Sequence, residues 1–275
     1  MTVGARRIAR DWLPPAVVRK LTRGGSGALT FSDGFESWEA ASASAEGYDA
    51  PSILRQVTAA TERASTGEVA FERDGITFDE PETRWPVAAA LLMAANRSGG
   101  RLRVLDFGGS LGSVYWQHRR LLSDIELSWG VVEQQDFIRE GARFANSELS
   151  FHPSIDEFLS AGKPDLILLS SVLQYLSAPH EILESLSATG ATYLLIDRTP
   201  VSALTHDIAT VQRVPEQIYK ASYPAWILSE SQLLESLSDR WTLIEDFPGI
   251  EPDMATSTGV SFSWRGYLFT GKFNG

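Results

Sequence analysis

The 275-residue chain is 43% hydrophobic and 21% charged, enough apolar sequence to bury a sizeable core in one large domain or two small ones. Its 24 Lys and Arg against 35 Asp and Glu give a net charge of −11, which repels phosphate backbones and disfavours general nucleic-acid binding. The lack of Cys excludes disulfides, thiolate metal sites and a Cys nucleophile; no apolar run reaches the roughly 18 residues of a membrane span and the start lacks the apolar core of a secretory signal, so a soluble, cytoplasmic protein is expected.

The charge is uneven. Residues 1–24 hold Arg6, Arg7, Arg10, Arg19, Lys20 and Arg23 against Asp11, or +5, leaving −16 for the remainder. Ile8, Trp12, Val17, Val18 and Leu21 can share one face of a helix broken at Pro14–Pro15. Such a segment suits peripheral docking on the inner membrane surface, or packing on the acidic body. Gly24 to Gly27 reads as a flexible joint. Helical patterns follow at 35–45 and 51–64, then a turn-rich stretch at 71–82, and a helix at 85–97 ended by Gly99–Gly100. Residues 25–100 are thus expected to form a mostly helical cap.

From Arg101 short apolar runs alternate with helical patterns. Strands are predicted at 102–107, 128–133, 149–152, 165–170 and 192–197, with helices at 113–122, 136–146, 155–161 and 179–187 between them. This rhythm predicts an α/β domain over 101–275 with a parallel sheet covered on both faces. A helix at 230–237 and strands at 241–247 and 260–269 close the chain, the last two predicted to pair as an antiparallel edge.

The first of these strands runs into Asp106-Phe-Gly108-Gly109-Ser110-Leu-Gly112, a Gly-rich turn before a helix. Glycines let the backbone approach a ligand, and a helix N-terminus offers free N–H groups. The dinucleotide fingerprint G-x-G-x-x-G fits poorly, since only one of Gly108, Ser110 and Ser113 is Gly. The nucleophile elbow G-x-S-x-G fits over 108–112, and Ser110, Asp197 and His206 would allow a hydrolase triad, but no HGGG-type segment precedes it. The third pattern, D-x-G-x-S-x-G, resembles motif I of the class I S-adenosylmethionine (SAM) methyltransferases, with Ser110 in place of the usual middle Gly.

The resemblance extends over residues 101–197 and loosely to the last strands. It implies a Rossmann-like sheet, mostly parallel with an antiparallel last strand, SAM as cofactor and S-adenosylhomocysteine (SAH) as product. Asp106, Gly108, Gly109, Ser110 and Gly112 would form the cofactor loop. Glu133, 21 residues after Gly112, would accept the ribose hydroxyls beside Gln134, ahead of the reading in which it merely caps the next helix. Ile155 and Asp156 would flank the adenine, unless Asp156 only starts a helix. Ser170 and Ser171 would lie by the methionine part. Tyr48 to Pro51, Phe71 to Asp74, Trp85–Pro86, Val132 to Gln134, Asp197 to Pro200 and Ala221 to Trp226 resemble a bacterial methyltransferase branch associated with surface-polysaccharide gene clusters.

Many small-molecule methyltransferases carry a His after the fourth strand; here Gln174 and Tyr175 stand there, with His180 later. They are substrate-binding candidates with Tyr219, Tyr223 and Trp226, whose aromatic faces suit sugar rings, or which plug a sheet edge. Asp197 and His206 are candidate bases, and Arg198 a holder of an anionic acceptor, unless Asp197–Arg198 is a structural ion pair. Glu72-Arg73-Asp74 is read as part of a lid or as a solvated charge run. The histidines show no H-x-x-x-H spacing, so no metal is expected. The expected reaction is methylation, O- ahead of N-, of a small-molecule or saccharide-like acceptor. The other readings are a Ser110 hydrolase, a non-catalytic scaffold, and another SAM-promoted reaction.

Overall fold

A computed structural model describes residues 29–45, 50–214 and 221–272. The basic segment 1–24 and Tyr219 lie outside them.

The central strands are β4 (Arg101–Phe107), β5 (Glu126–Val132), β6 (Leu149–His152), β7 (Leu166–Ser170) and β8 (Tyr193–Ser202), all mutually parallel in the order β6-β5-β4-β7-β8. On the far side of β8, β13 (Ser261–Gly271) runs antiparallel, and β11 (Trp241–Pro248) pairs antiparallel with β13. The predicted final hairpin therefore forms, but its later strand inserts next to β8. This is a Rossmann-like sheet, mostly parallel with an antiparallel last strand.

Alternation along the strands splits the apolar side chains between two cores. Leu102, Val104, Trp129, Leu166 and Leu195 face one; Leu105, Val132, Ile167, Leu194 and Ile196 face the other. Helices cover both: α3 (Trp85–Arg97) packs its Val87, Leu91 and Ala94 on the first, and α7 (Pro179–Ser187) its Leu183 and Leu186 on the second.

β8 is longer than predicted. Its residues 193–197 pair with β7, and beyond the end of β7, Val201 and Ser202 pair with β10 (Ala221–Ser229). β10 continues antiparallel to β9 (Ile208–Val214), which pairs with β1 (Thr30–Phe35). An antiparallel extension thus stands at the carboxyl end of the parallel sheet.

The stretch 25–100 contains helices α1 (Trp38–Ser44) and α2 (Ala50–Thr66) besides α3, but it also supplies strands. β1 joins the extension because its Phe31 buries against Phe262 and Trp264, contacts no local pattern reveals. The turn-rich stretch is a hairpin, β2 (Phe71–Arg73) and β3 (Ile76–Phe78). Among the described residues no helix is long and apolar enough to cross a membrane.

Candidate active site

Ligands of open α/β sheets bind beyond the carboxyl ends of the strands, and a cleft opens there. Its floor is the turn from β4 to α4 (Ser113–His118). Gly108 has φ +69°, and a Cβ there would overlap Val172. At Gly109 a Cβ would overlap the Asp106 carboxyl group, so the loop passes directly over that acid. Ser110 holds φ +56°, a left-handed conformation costing roughly 1–2 kcal/mol outside glycine.

This strain is not isolated. The non-glycine residues with positive φ among those described are Asp74, Ser110, Ser171 and Arg198, and all four line the cleft. They come from the β2–β3 turn, the β4 loop, the end of β7 and β8. Strained backbone of this kind concentrates at binding and catalytic sites, where surrounding structure holds it in place.

Asp106 is fully buried. Its Oδ2 accepts from Trp129 Nε1 at 2.9 Å, and its Oδ1 has no partner. Burial pushes this carboxyl up to about 7, opposed by the Trp129 hydrogen bond and helped by the nearby Glu133 charge. Glu133, just past β5, accepts from Ser110 N at 3.3 Å and from Gln134 N at 2.7 Å. Burial raises its pKa as well. Glu133 is thus tied to the β4 loop. Gln134 is exposed as the cap of α5 (Gln135–Gly141).

Ser170, Ser171, Asp197 and Arg198 share the cleft with Asp106, Gly108, Gly109 and Ser110. Asp197 and Arg198 take different ion-pair partners and no ion pair joins them: the cation on Asp197 is Arg84. Arg84 Nη2 and Nε reach Asp197 Oδ1 at 2.8 and 3.2 Å, and Ser170 Oγ donates to Oδ2 at 3.5 Å. Arg198 is buried between Asp74 Oδ2 and Glu251 Oε1, both at 2.8 Å. Burial works against its charge, but those two carboxylates outweigh it and hold the guanidinium firmly protonated.

Glu133, Gln134 and the remaining candidates are not among the residues that line the cleft. Gly112 caps α4 with φ +86°. Ile155 packs on the second core and Asp156 is exposed, both in the first turn of α6 (Ile155–Leu159), which Ser154 caps. Gln174 is buried with Nε2 on Ser171 Oγ at 3.0 Å, so it braces a strained residue. Tyr175 and Tyr223 meet edge to face at 5.3 Å, bridged through Gln212. Trp226 stacks on Trp38 at 5.5 Å and donates to Leu176 O, closing the β10 side. His206 is exposed on the loop between β8 and β9, away from the cleft lining.

The hydrolase reading needs a base within reach of Ser110. His118, His152 and His180 instead bond Val114 O, Ser150 and Asp207. With Asp197 on Arg84 and His206 exposed, no histidine among the described residues engages Ser110.

Sequence reasoning missed Arg84 and His118, and read Glu72 as part of a lid or of a solvated charge run. Glu72 is 1% exposed, and its carboxylate accepts from Ser113 Oγ and from Gly75 N. Burial pushes it up to about 7, against the Ser113 hydrogen bond. His118 is buried at the end of α4, which lowers its pKa. The visible signal was the Asp74–Gly75 turn, which folds the charge run back onto α4.

No family model matches the chain, and no curated protein does. Solved structures resemble it distantly. The N-terminal domain of EvdMO1 with SAH bound matches at 16% identity and TM-score 0.47, over 82% of this chain and 98% of that one. The Burkholderia thailandensis 1,6-didemethyltoxoflavin-N1-methyltransferase, with 1,6-didemethyltoxoflavin and SAH bound, matches at 14% and 0.40, over 82% and 92%. The [4+2]-cyclase SpnF matches at 14% and 0.44, over 80% and 93%. Likeness at this level does not specify a reaction, and the fold assignment stands on the strand order itself.

Proposed function

We propose that the chain is a SAM-dependent methyltransferase acting on a small-molecule or saccharide-like acceptor, with O-methylation ahead of N-methylation. The observation that carries the reading is the β4 turn. It combines a glycine cradle pressed on a buried acid, Asp106, with a second acid, Glu133, hydrogen-bonded to the same turn. Gly108 and Gly109 let the turn pack directly on Val172 and the Asp106 carboxyl, which leaves a bare backbone at the cleft floor for a ligand laid flat on it. The histidine partners favour this over a hydrolase.

SAM would supply an activated methyl group, so the chain's own task is placement and proton removal. Ser170 and Ser171 would border the methionine part and Glu133 the ribose. Asp197 Oδ2 is the oxygen left for an acceptor hydroxyl, because Arg84 holds Oδ1 and fixes the carboxylate. His206, exposed on its loop, is the weaker candidate base. Arg198 is committed to Asp74 and Glu251, which favours a positioning role over anion capture. The Tyr175–Tyr223 pair offers aromatic surface beside the cleft for a sugar-like acceptor.

Isothermal titration of SAM and SAH into the wild type tests the reading. Micromolar binding, weakened by Glu133→Ala, is the expected result, followed by SAM-dependent methyl release with saccharide acceptors. Binding without turnover of any acceptor would favour the scaffold reading, or a SAM-promoted reaction of another type.

A further inference from the structure

Helix α3 is apolar on both sides. Its inner face is complete, with Val87, Ala90, Leu91 and Ala94 buried on the first core. At about 100° per residue, Trp85, Ala89, Leu92, Met93 and Asn96 fall on the opposite side, and all five are exposed. Trp85 is 70% exposed, and the stripe holds no charge. The outer face of a surface helix is ordinarily polar, and a helix apolar all round is one that something covers. The border of this stripe is acidic. Asp79 and Glu80 are exposed just before α3. Exposed Glu245 of β11 pairs with Leu268, which faces the first core, so Glu245 lies on the same face of the sheet as α3. None of these three acids has an ion-pair partner among the described residues.

We propose that the outer face of α3 is the docking surface for residues 1–24 of the same chain, with Ile8, Trp12, Val17, Val18 and Leu21 against the stripe and the basic side chains toward Asp79, Glu80 and Glu245. Charge favours this occupant, because the segment carries +5 and the remainder −16. Position favours it too. The described chain begins at Leu29, which packs on the cluster of Phe31 and Trp264. Trp264 O accepts from Gly249 N at 2.7 Å, and the preceding Pro248 O accepts at 2.7 Å from Arg84, the residue before Trp85. A short run of contacts therefore joins Leu29 to Trp85. Seven residues, 22–28, can bridge about 23 Å at roughly 3.3 Å each. Size argues against a second copy. Four apolar side chains fall far short of the roughly 20–30 residues a side of a stable interface. A tethered segment needs less, because its docking is intramolecular. An anionic lipid surface would be repelled by the same three acids. Docking places the basic segment on the helix whose first turn lines the cleft through Arg84 and Val87, whatever reaction the cleft performs.

The test is hydroxyl-radical footprinting of the full chain, read at Trp85 and Met93 by mass spectrometry. Both residues should oxidise about tenfold more slowly in the wild type than in full-length Trp12→Glu, the ratio set by a docked fraction of about nine in ten. The protection should weaken as salt rises from about 50 to about 500 mM and should not change on dilution. Equal oxidation of the two chains, or protection that salt leaves unchanged, overturns the proposal. Protection lost on dilution assigns the face to a second copy, and protection gained only on anionic vesicles assigns it to a lipid surface; either overturns the proposal. If Trp12→Glu does not melt cooperatively, the full-length triple change Arg6→Glu, Arg7→Glu, Arg10→Glu takes its place with the same expected loss of protection.

Discussion

At Gly109 there is no room for a single methyl group. Gly109→Ala pushes into the Asp106 carboxyl, a buried group already held by Trp129. The fold should lose about 1–3 kcal/mol as the loop shifts, and SAH affinity should fall by at least about tenfold; melting and calorimetry check each. Ser110→Gly has the opposite character. It relieves a left-handed residue, so the protein should gain up to about 1 kcal/mol and, on the proposed function, keep SAH binding. A hydrolase would lose all activity with that change. At this scale the tight turn after β4 was legible, because Asp106 and its glycines are adjacent in sequence. Glu72 was not, because its role depends on Ser113, which meets it across the cleft. Nothing local separates a carboxyl that packs on α4 from one that faces water.

The β2–β3 hairpin brings Glu72, Arg73 and Asp74 to the cleft. Its two-residue turn, Asp74–Gly75, has positive φ at both positions, and Arg73 pairs with Ile76 across it. That is the geometry of a type I′ turn, and Asp-Gly between short apolar runs is its usual sequence sign. The turn was readable; its partner was not. Asp74 reaches Arg198, which also holds Glu251, so one guanidinium joins the hairpin, β8 and the segment after β11. Arg198→Ala removes the buried guanidinium that Asp74 and Glu251 share. Such a loss costs about 3–5 kcal/mol, measurable by denaturant unfolding. Arg198→Lys should recover only part, because one ammonium cannot reproduce the fork. The strands of the extension were missed for related reasons. β1 pairs with a strand far along the chain, Thr30 opposite Arg213, and β10 contains Pro224, which argues against a strand on sequence grounds. Such pairing is set by tertiary contact, whereas the five parallel strands announce themselves by apolar runs.

For the whole molecule, the buried acids set a pH dependence. Glu72 and Asp106 bind protons more tightly folded than unfolded, so they contribute stability at low pH that is lost as pH rises through about 7. Asp33 has the opposite sign. Burial acts to raise its pKa, but hydrogen bonds from Thr256, Thr258 and Ser257 win and lower it to about 2, so its contribution is lost only as pH falls toward that value. Ligand-free protein should therefore lose stability between pH 5 and pH 8 relative to Glu72→Gln. The difference should be of order 2 kcal/mol. Thermal melts of both proteins across that range check it.

The central claim is that the β4 turn cradles SAM. The most direct measurement is calorimetric titration of SAH into folded wild type beside Gly109→Ala and Glu133→Ala. The account predicts one site per chain with micromolar affinity, weakened by both substitutions. Absence of binding by the folded wild type, or binding that neither substitution weakens, would contradict it.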